Sequence, residues 1–263
     1  MLASFPRYRL PWACCKPMLA GLAAVVFAQL HVGAHAAALN DTGQVGCFTS
    51  TGAATNCAGG QDGRYGRDPA GSAGIMAKIG AGPAGFDFTK IARNGSVLAN
   101  TASTGYGQND WVCTRDNGTG LTWDTNWDTN NFTFTWYSTA GNNGGNAGSP
   151  GSNGNTCGFY VIPCNTAQWI IRANANSGMC GYNDWRLPTV RELQNLVNVE
   201  ASPASPAIAA SYFPGALGGI YFSATNFAYP DALNAWGVDF STGAPAINLK
   251  SVAASVRLVR GTP

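Results

Sequence analysis

The side chains best suited to gripping a hydroxyl-rich ligand fall close together in ATNFAYPDALN (Ala224 to Asn234): Asn226, Tyr229, Asp231 and Asn234. Amides and a carboxylate bond sugar hydroxyls, and a tyrosine ring stacks on the apolar face of a sugar. The segment lies between two strand-like runs and is expected to be a surface loop. Trp127, Trp136 and Tyr137 form a second group. They would serve either as a platform for a ring, with Trp127 the leading candidate, or as core. Asn183-Asp184-Trp185 sets an amide and a carboxylate beside an indole. Calcium binds through many oxygens of this kind, but the three residues also read as a turn feeding a helix. No metal or other cofactor is expected, with calcium at Asn183 and Asp184 the alternative.

What is missing excludes more. Both histidines, His31 and His35, lie in the first 36 residues. A chain processed there has no imidazole, and so no Ser-His triad, HExxH zinc site or two-His iron site. Six cysteines follow: Cys47, Cys57, Cys113, Cys157, Cys164 and Cys180. An even number in an exported chain reads as disulfides, although sequence leaves the pairing open. Short separations favour Cys47–Cys57 and Cys157–Cys164, with Cys113–Cys180 as the long staple. No CxxC pair invites zinc.

Export itself is read from the N-terminus. Arg7, Arg9 and Lys16 precede a mostly apolar run from Met18 to Leu30, and Ala34-His35-Ala36 offers a small-x-small cleavage site. Residues 1–36 are expected to be a signal peptide, giving a secreted, periplasmic or cell-surface protein with no stable membrane span. Three of the 15 basic residues leave with it and none of the 13 acids, so 12 basic residues face 13 acidic ones. A near-neutral chain has no electrostatic reason to bind nucleic acid.

Local patterning outlines the secondary structure around these groups. Residues 37–110 form a Gly-rich extension packed on the main domain, with a strand in GFDFTKI (Gly85 to Ile91) and a short helix over 68–80 opposed by Gly71, Gly74 and Gly80. WVCTRDNGTGLTWD (Trp111 to Asp124) reads as a hairpin whose Asn117-Gly118 pair supplies a tight turn. Residues 141–155, nearly all Gly, Asn and Ser, read as a flexible loop. Asn165 or Thr166 caps a helix to about Asn176, and Thr189 with Glu192 forms a capping box ahead of Leu193, Leu196 and Val197. Strand-like runs follow, with Tyr221, Phe222, Trp236 and Phe240 as core and Arg257 facing away from Val256 and Leu258, although Val259 breaks the alternation and suggests that both faces are partly covered. The fold class is α+β, antiparallel strands with two short helices.

Four of these segments together carry a family resemblance: GYNDWRLPTVRELQNLVN (Gly181 to Asn198), YFSATNF (Tyr221 to Phe227), AWGVDFSTG (Ala235 to Gly243) and VRLVRG (Val256 to Gly261). Their order resembles the Lcl C-terminal domain family, with residues 111–263 as the domain. The resemblance implies a C-type-lectin-like core, which formylglycine-generating enzymes share. In those enzymes the RLPT segment is structural, its Arg paired and its Leu buried; their catalytic cysteine pair lies near the C-terminus, whereas this chain has no cysteine after Cys180. The adhesin that names the family binds sulfated glycosaminoglycans. Here Arg186, Lys250, Arg257 and Arg260 would have to supply the charge, unless they pair internally with Glu192 or Asp239. The expected function is a non-catalytic, adhesin-like module binding a glycan or protein on a cell or envelope surface. The alternatives are a structural envelope protein and an enzyme of the formylglycine-generating type.

Overall fold

The computed structural model describes residues 39–126, 132–154, 157, 159–201, 206–228 and 232–262. The expected signal peptide, Trp127, Tyr229 and Asp231 lie outside them. The described residues belong to one compact unit. The fold is α+β.

The N-terminal stretch opens with a ribbon of β1 (Cys47–Phe48) and β2 (Ala54–Thr55), closed by the Cys47–Cys57 disulfide. A short helix α1 (Arg67–Ser72) follows, ending before Gly74 turns left-handed at φ 71°. Next come β3 (Phe88–Ala92), β4 (Trp111–Asp116) and β5 (Thr122–Asp124). A ribbon of β6 (Asn153–Gly154) and β7 (Phe159–Pro163) leads into helices α2 (Thr166–Ala173) and α3 (Val190–Gln194). The chain ends with β8 (Ile220–Phe227), β9 (Asn234–Asp239), β10 (Ala244–Leu249) and β11 (Val259–Arg260). Two sheets dominate, both antiparallel: β11-β5-β4-β3 and β10-β9-β8.

β3 comes from the Gly-rich stretch yet is an edge strand of the four-stranded sheet. The strand expected in GFDFTKI forms, and although its residues alternate apolar and polar, every residue of β3 is buried. The polar members are covered because they have partners. Asp87 accepts the amides of Ile79 and Gly80, each at 2.8 Å, and Lys90 donates to the Ala102 carbonyl with its ammonium 3.8 Å from the Trp111 ring centroid. The β4–β5 hairpin forms, but its turn differs from the expected one. The left-handed residue is Gly120 at φ 77°, and buried Asp116 organises the turn by accepting the Gly118 and Thr119 amides. Five residues therefore separate the strands, and Asn117-Gly118 is not the tight pair.

Both expected helices form with their expected caps. Asn165 accepts the Gln168 amide, and Thr189 and Glu192 make both halves of the capping box. The disulfides are Cys47–Cys57, Cys113–Cys180 and Cys157–Cys164. One core lies around Trp136, Trp185, Phe222 and the latter two disulfides; the other gathers Phe88, Trp123, Leu193, Phe213, Tyr221 and Phe240.

Three expectations fail here. Arg257 does not face solvent: it is fully buried, its guanidinium 4.8 Å from the Phe213 ring and 5.6 Å from Tyr221, while Nη1 donates to the Asp124 carbonyl. Both faces of VRLVR are covered, as the break in alternation at Val259 implied, so neither side is open to solvent. Trp236 is half-buried rather than core, packing edge-on against Phe227 at 5.5 Å. Of the two overlapping readings, the strand-like run Tyr221–Phe227 holds and the loop from Ala224 does not begin until after Phe227, because pairing with β9 resumes beyond an irregularity between Phe222 and Asn226.

Candidate ligand site

A cavity of about 330 Å³ opens where four parts of the chain meet. Residues from Trp136 to Ala140 with Asn142 form one wall, and Ala167 and Ile170 of α2 form another. Arg186 and Leu187, just before α3, and Ala224 of β8 complete it. Its volume lies within the range of small-ligand sites. Ile170, Leu187 and Ala224 supply apolar surface, while Tyr137, Ser138, Thr139 and Asn142 bring hydroxyls and an amide.

Each wall is fixed by its own chemistry. On the helix side, Trp169 and Ala173 are buried, which turns Ala167 and Ile170 toward the cavity margin. The helix is tied to the loop because Thr166 accepts the Tyr137 amide at 2.9 Å and donates to the Tyr137 carbonyl at 3.0 Å. On the far side, Arg186 makes a bidentate pair with Glu192 at 2.9 and 2.7 Å, and also donates to the Leu187 and Gly261 carbonyls. Burial pushes the Glu192 carboxyl up, but Arg186 and the Thr189 amide outweigh it and hold Glu192 below the usual range. Arg186 thus braces the site rather than offering a free charge.

Among its described residues, 141–154, the loop is not the slack segment expected over 141–155. Lys250 reaches beneath it: its ammonium donates to the Asn143 and Asn146 carbonyls at 2.9 and 2.7 Å and sits 4.3 Å from the Trp136 centroid. Burial lowers the Lys250 pKa. The Asn143 and Asn146 side chains accept the Gly145 and Gly148 amides, bending the chain back. Gly148, at φ 82°, lies so close that a Cβ would stand 2.2 Å from the Trp136 carbonyl.

The residues singled out in sequence are scattered relative to this cavity. Asn226 follows Ala224 on the same strand, but its amide is wedged under Gly144, and its Oδ1 is buried without a partner among the described residues. Asn234 pairs with Phe227 and Leu249 in mid-sheet, away from the cavity lining. Trp136 is 1% exposed and donates its indole N–H to the Ser223 carbonyl, so it is core and not a platform; Tyr137 lines the cavity. Asp184 gives both carboxylate oxygens to Arg260, at 3.0 and 2.8 Å, and this pairing lowers its pKa. A cation there would have to displace a guanidinium that also stacks 4.0 Å from Tyr182.

The four cations thought able to form a sulfate-binding patch are all otherwise engaged. Arg186 holds Glu192, Arg260 holds Asp184 rather than Asp239, Lys250 holds the loop, and Arg257 is core. Ser138, Thr139 and Asn142 went unnoticed in the sequence. Their signal was the polar run directly after Trp136-Tyr137, hidden by the Gly-Asn composition that follows. Among the described residues, one group of three carboxylates converges, Asp41, Asp62 and Asp68, in the N-terminal stretch.

A model of the Lcl C-terminal domain family matches residues 112–260, from β4 to β11. No curated protein and no solved structure matches the chain.

Proposed function

The chain belongs to the Lcl C-terminal domain family, and we propose that it is an exported, non-catalytic binding module with a C-type-lectin-like core, whose cavity takes an uncharged portion of a surface glycan. The observation that carries this is the composition of the cavity. Ile170, Leu187 and Ala224 give it apolar area, Tyr137, Ser138, Thr139 and Asn142 give it hydroxyl and amide groups, and its cation is already neutralised by Glu192. Sugars present the same mixture of apolar ring faces and hydroxyls. An anionic polymer would find none of the four cations considered free, three guanidiniums and the Lys250 ammonium, so a sulfated chain is the poorer fit.

Export is supported by three disulfides, which persist in oxidising compartments. Among the described residues no helix is long and apolar enough to cross a membrane. Chemistry of the formylglycine-generating type needs a reactive cysteine pair, and every cysteine from Cys47 onward is in a disulfide.

A glycan array probed with the oxidised chain, with and without calcium and at low and high salt, tests the reading. Binding independent of both, and reduced at least about tenfold by Tyr137→Ala or Asn142→Ala, is the expected result. Binding that needs calcium, or that disappears with salt, would place the ligand elsewhere. Silence on every glycan would leave a protein ligand.

A further inference from the structure

The sheet β10-β9-β8 is closed on one side and open on the other. Beyond β8, the Ser255 carbonyl accepts the Phe222 amide, the Ser255 amide reaches Ile220, and the Pro188 carbonyl accepts the Ala224 amide. Beyond β10 no described strand follows.

Which backbone groups face the open edge follows from register. Lys250 donates its amide to the Leu233 carbonyl at 2.8 Å, continuing the β9–β10 pairing by one residue. Hydrogen-bonded pairs alternate along an antiparallel ladder. Ala246 and Asn248 therefore bond inward to β9, whereas Pro245, Ile247 and Leu249 turn their backbone groups outward. Proline has no amide to offer, and the Leu249 carbonyl already accepts the Val252 amide at 3.0 Å. What remains is the Pro245 carbonyl, both groups of Ile247 and the Leu249 amide.

That set complements itself. With two antiparallel strands centred on Ile247, each Ile247 amide meets the Ile247 carbonyl of a second copy, and each Leu249 amide meets the second copy's Pro245 carbonyl. The groups that would be mismatched, the missing proline amide and the occupied Leu249 carbonyl, fall opposite one another. We infer that β10 is a self-pairing edge, through which two copies of this chain join their three-stranded sheets about a two-fold axis at Ile247.

Side chains and charge agree with this occupant. Ile247 and Leu249 are 46% and 44% exposed and share a face with Trp236 and Phe227. Pairing would run this apolar row unbroken across the axis. Natural edge strands are usually blunted by charge or by proline; Ala244–Leu249 carries no charge, its Pro245 lacks only the amide that would meet the occupied Leu249 carbonyl, and the Lys250 ammonium is turned inward to the loop. Asp239, opposite Ala244, would lie at far ends of the joined sheet in the two copies, so no like charges meet.

Sedimentation equilibrium and hydrogen exchange on the oxidised full chain test this together. The mass is expected to rise toward twice the monomer value with concentration, while exchange of the Ile247 and Leu249 amides slows by about tenfold or more. Ile247→Lys should leave a folded monomer at every concentration, and mixing it with Ile247→Glu should restore a dimer, since residue 247 faces itself only in this register. The exchange measurement on the parent chain needs no variant to fold. A monomer at all concentrations, an assembly of another order, or association that Ile247→Lys leaves intact would overturn the inference.

Discussion

At the scale of single residues, the charged side chains of this protein hold structure together, and Glu192 is the clearest case. It caps α3, pairs with Arg186 and is almost wholly buried. Its folded pKa is depressed, so the unfolded chain takes up the proton first as pH falls. The stabilisation is therefore complete above the unfolded glutamate value and is lost as pH drops through the folded one. Glu192→Gln keeps an oxygen able to accept the Thr189 amide, but its amide nitrogen cannot accept from Arg186, so it removes the ion pair and one of the two Arg186 hydrogen bonds. We expect it to cost about 2–3 kcal/mol at neutral pH, with the gap to the parent closing as pH falls through the folded carboxyl's depressed value; urea titrations across that range would measure it. A gap unchanged by pH would mean that the pair contributes nothing. The capping box was legible in sequence because its logic is confined to four consecutive residues. Arg257 was not, because its burial depends on Phe213 and Tyr221, which no local pattern links to it.

At the scale of elements, the contrast lies between helices and loops. Asn165 and Thr189 announce α2 and α3 by local hydrogen bonding, and both caps form. The run from Gly141 looked slack because Gly and Asn bury little, yet its order comes from Lys250, more than a hundred residues away in sequence. For the same reason the cavity wall it builds was invisible: Ser138, Thr139 and Asn142 acquire a role only once the loop is pinned. The end of β8 was legible as the strand-like run Tyr221–Phe227; the bulge between Phe222 and Asn226 was not. Lys250→Met keeps the buried length and deletes the ammonium. We expect amide exchange across residues 138–148 to quicken by about tenfold or more, while global stability falls by only about 1–2 kcal/mol, because relief of a buried charge offsets the lost hydrogen bonds. Unchanged exchange would show that the loop is held by its own Asx turns.

At the scale of the whole molecule, the question is what makes one folding unit. The family match starts at residue 112, on β4, yet β4 pairs along its length with β3, which comes before it. Phe88 of β3 packs against Tyr212 and Phe213 in one core, while Ile91 belongs to the other. Removing residues 37–110 would thus expose the edge of β4 and open both cores at once, which no surface truncation does. Side chains of this size cost about 2–5 kcal/mol each when deleted from a core, and a domain of this class has about 5–15 kcal/mol in all. We therefore expect a chain of residues 111–263, even with Cys113–Cys180 and Cys157–Cys164 closed, to show no cooperative thermal transition. Residues 37–263 should unfold in one. The long staple cannot substitute for β3: closing a loop of 67 residues narrows the unfolded ensemble by about 4 kcal/mol in the chain-entropy estimate, less than the packing that two or three β3 side chains supply. Calorimetry of the two lengths decides the matter. A sharp transition in the shorter chain would make the N-terminal stretch an accessory, and its buried Asp87 and Lys90 would then need another explanation.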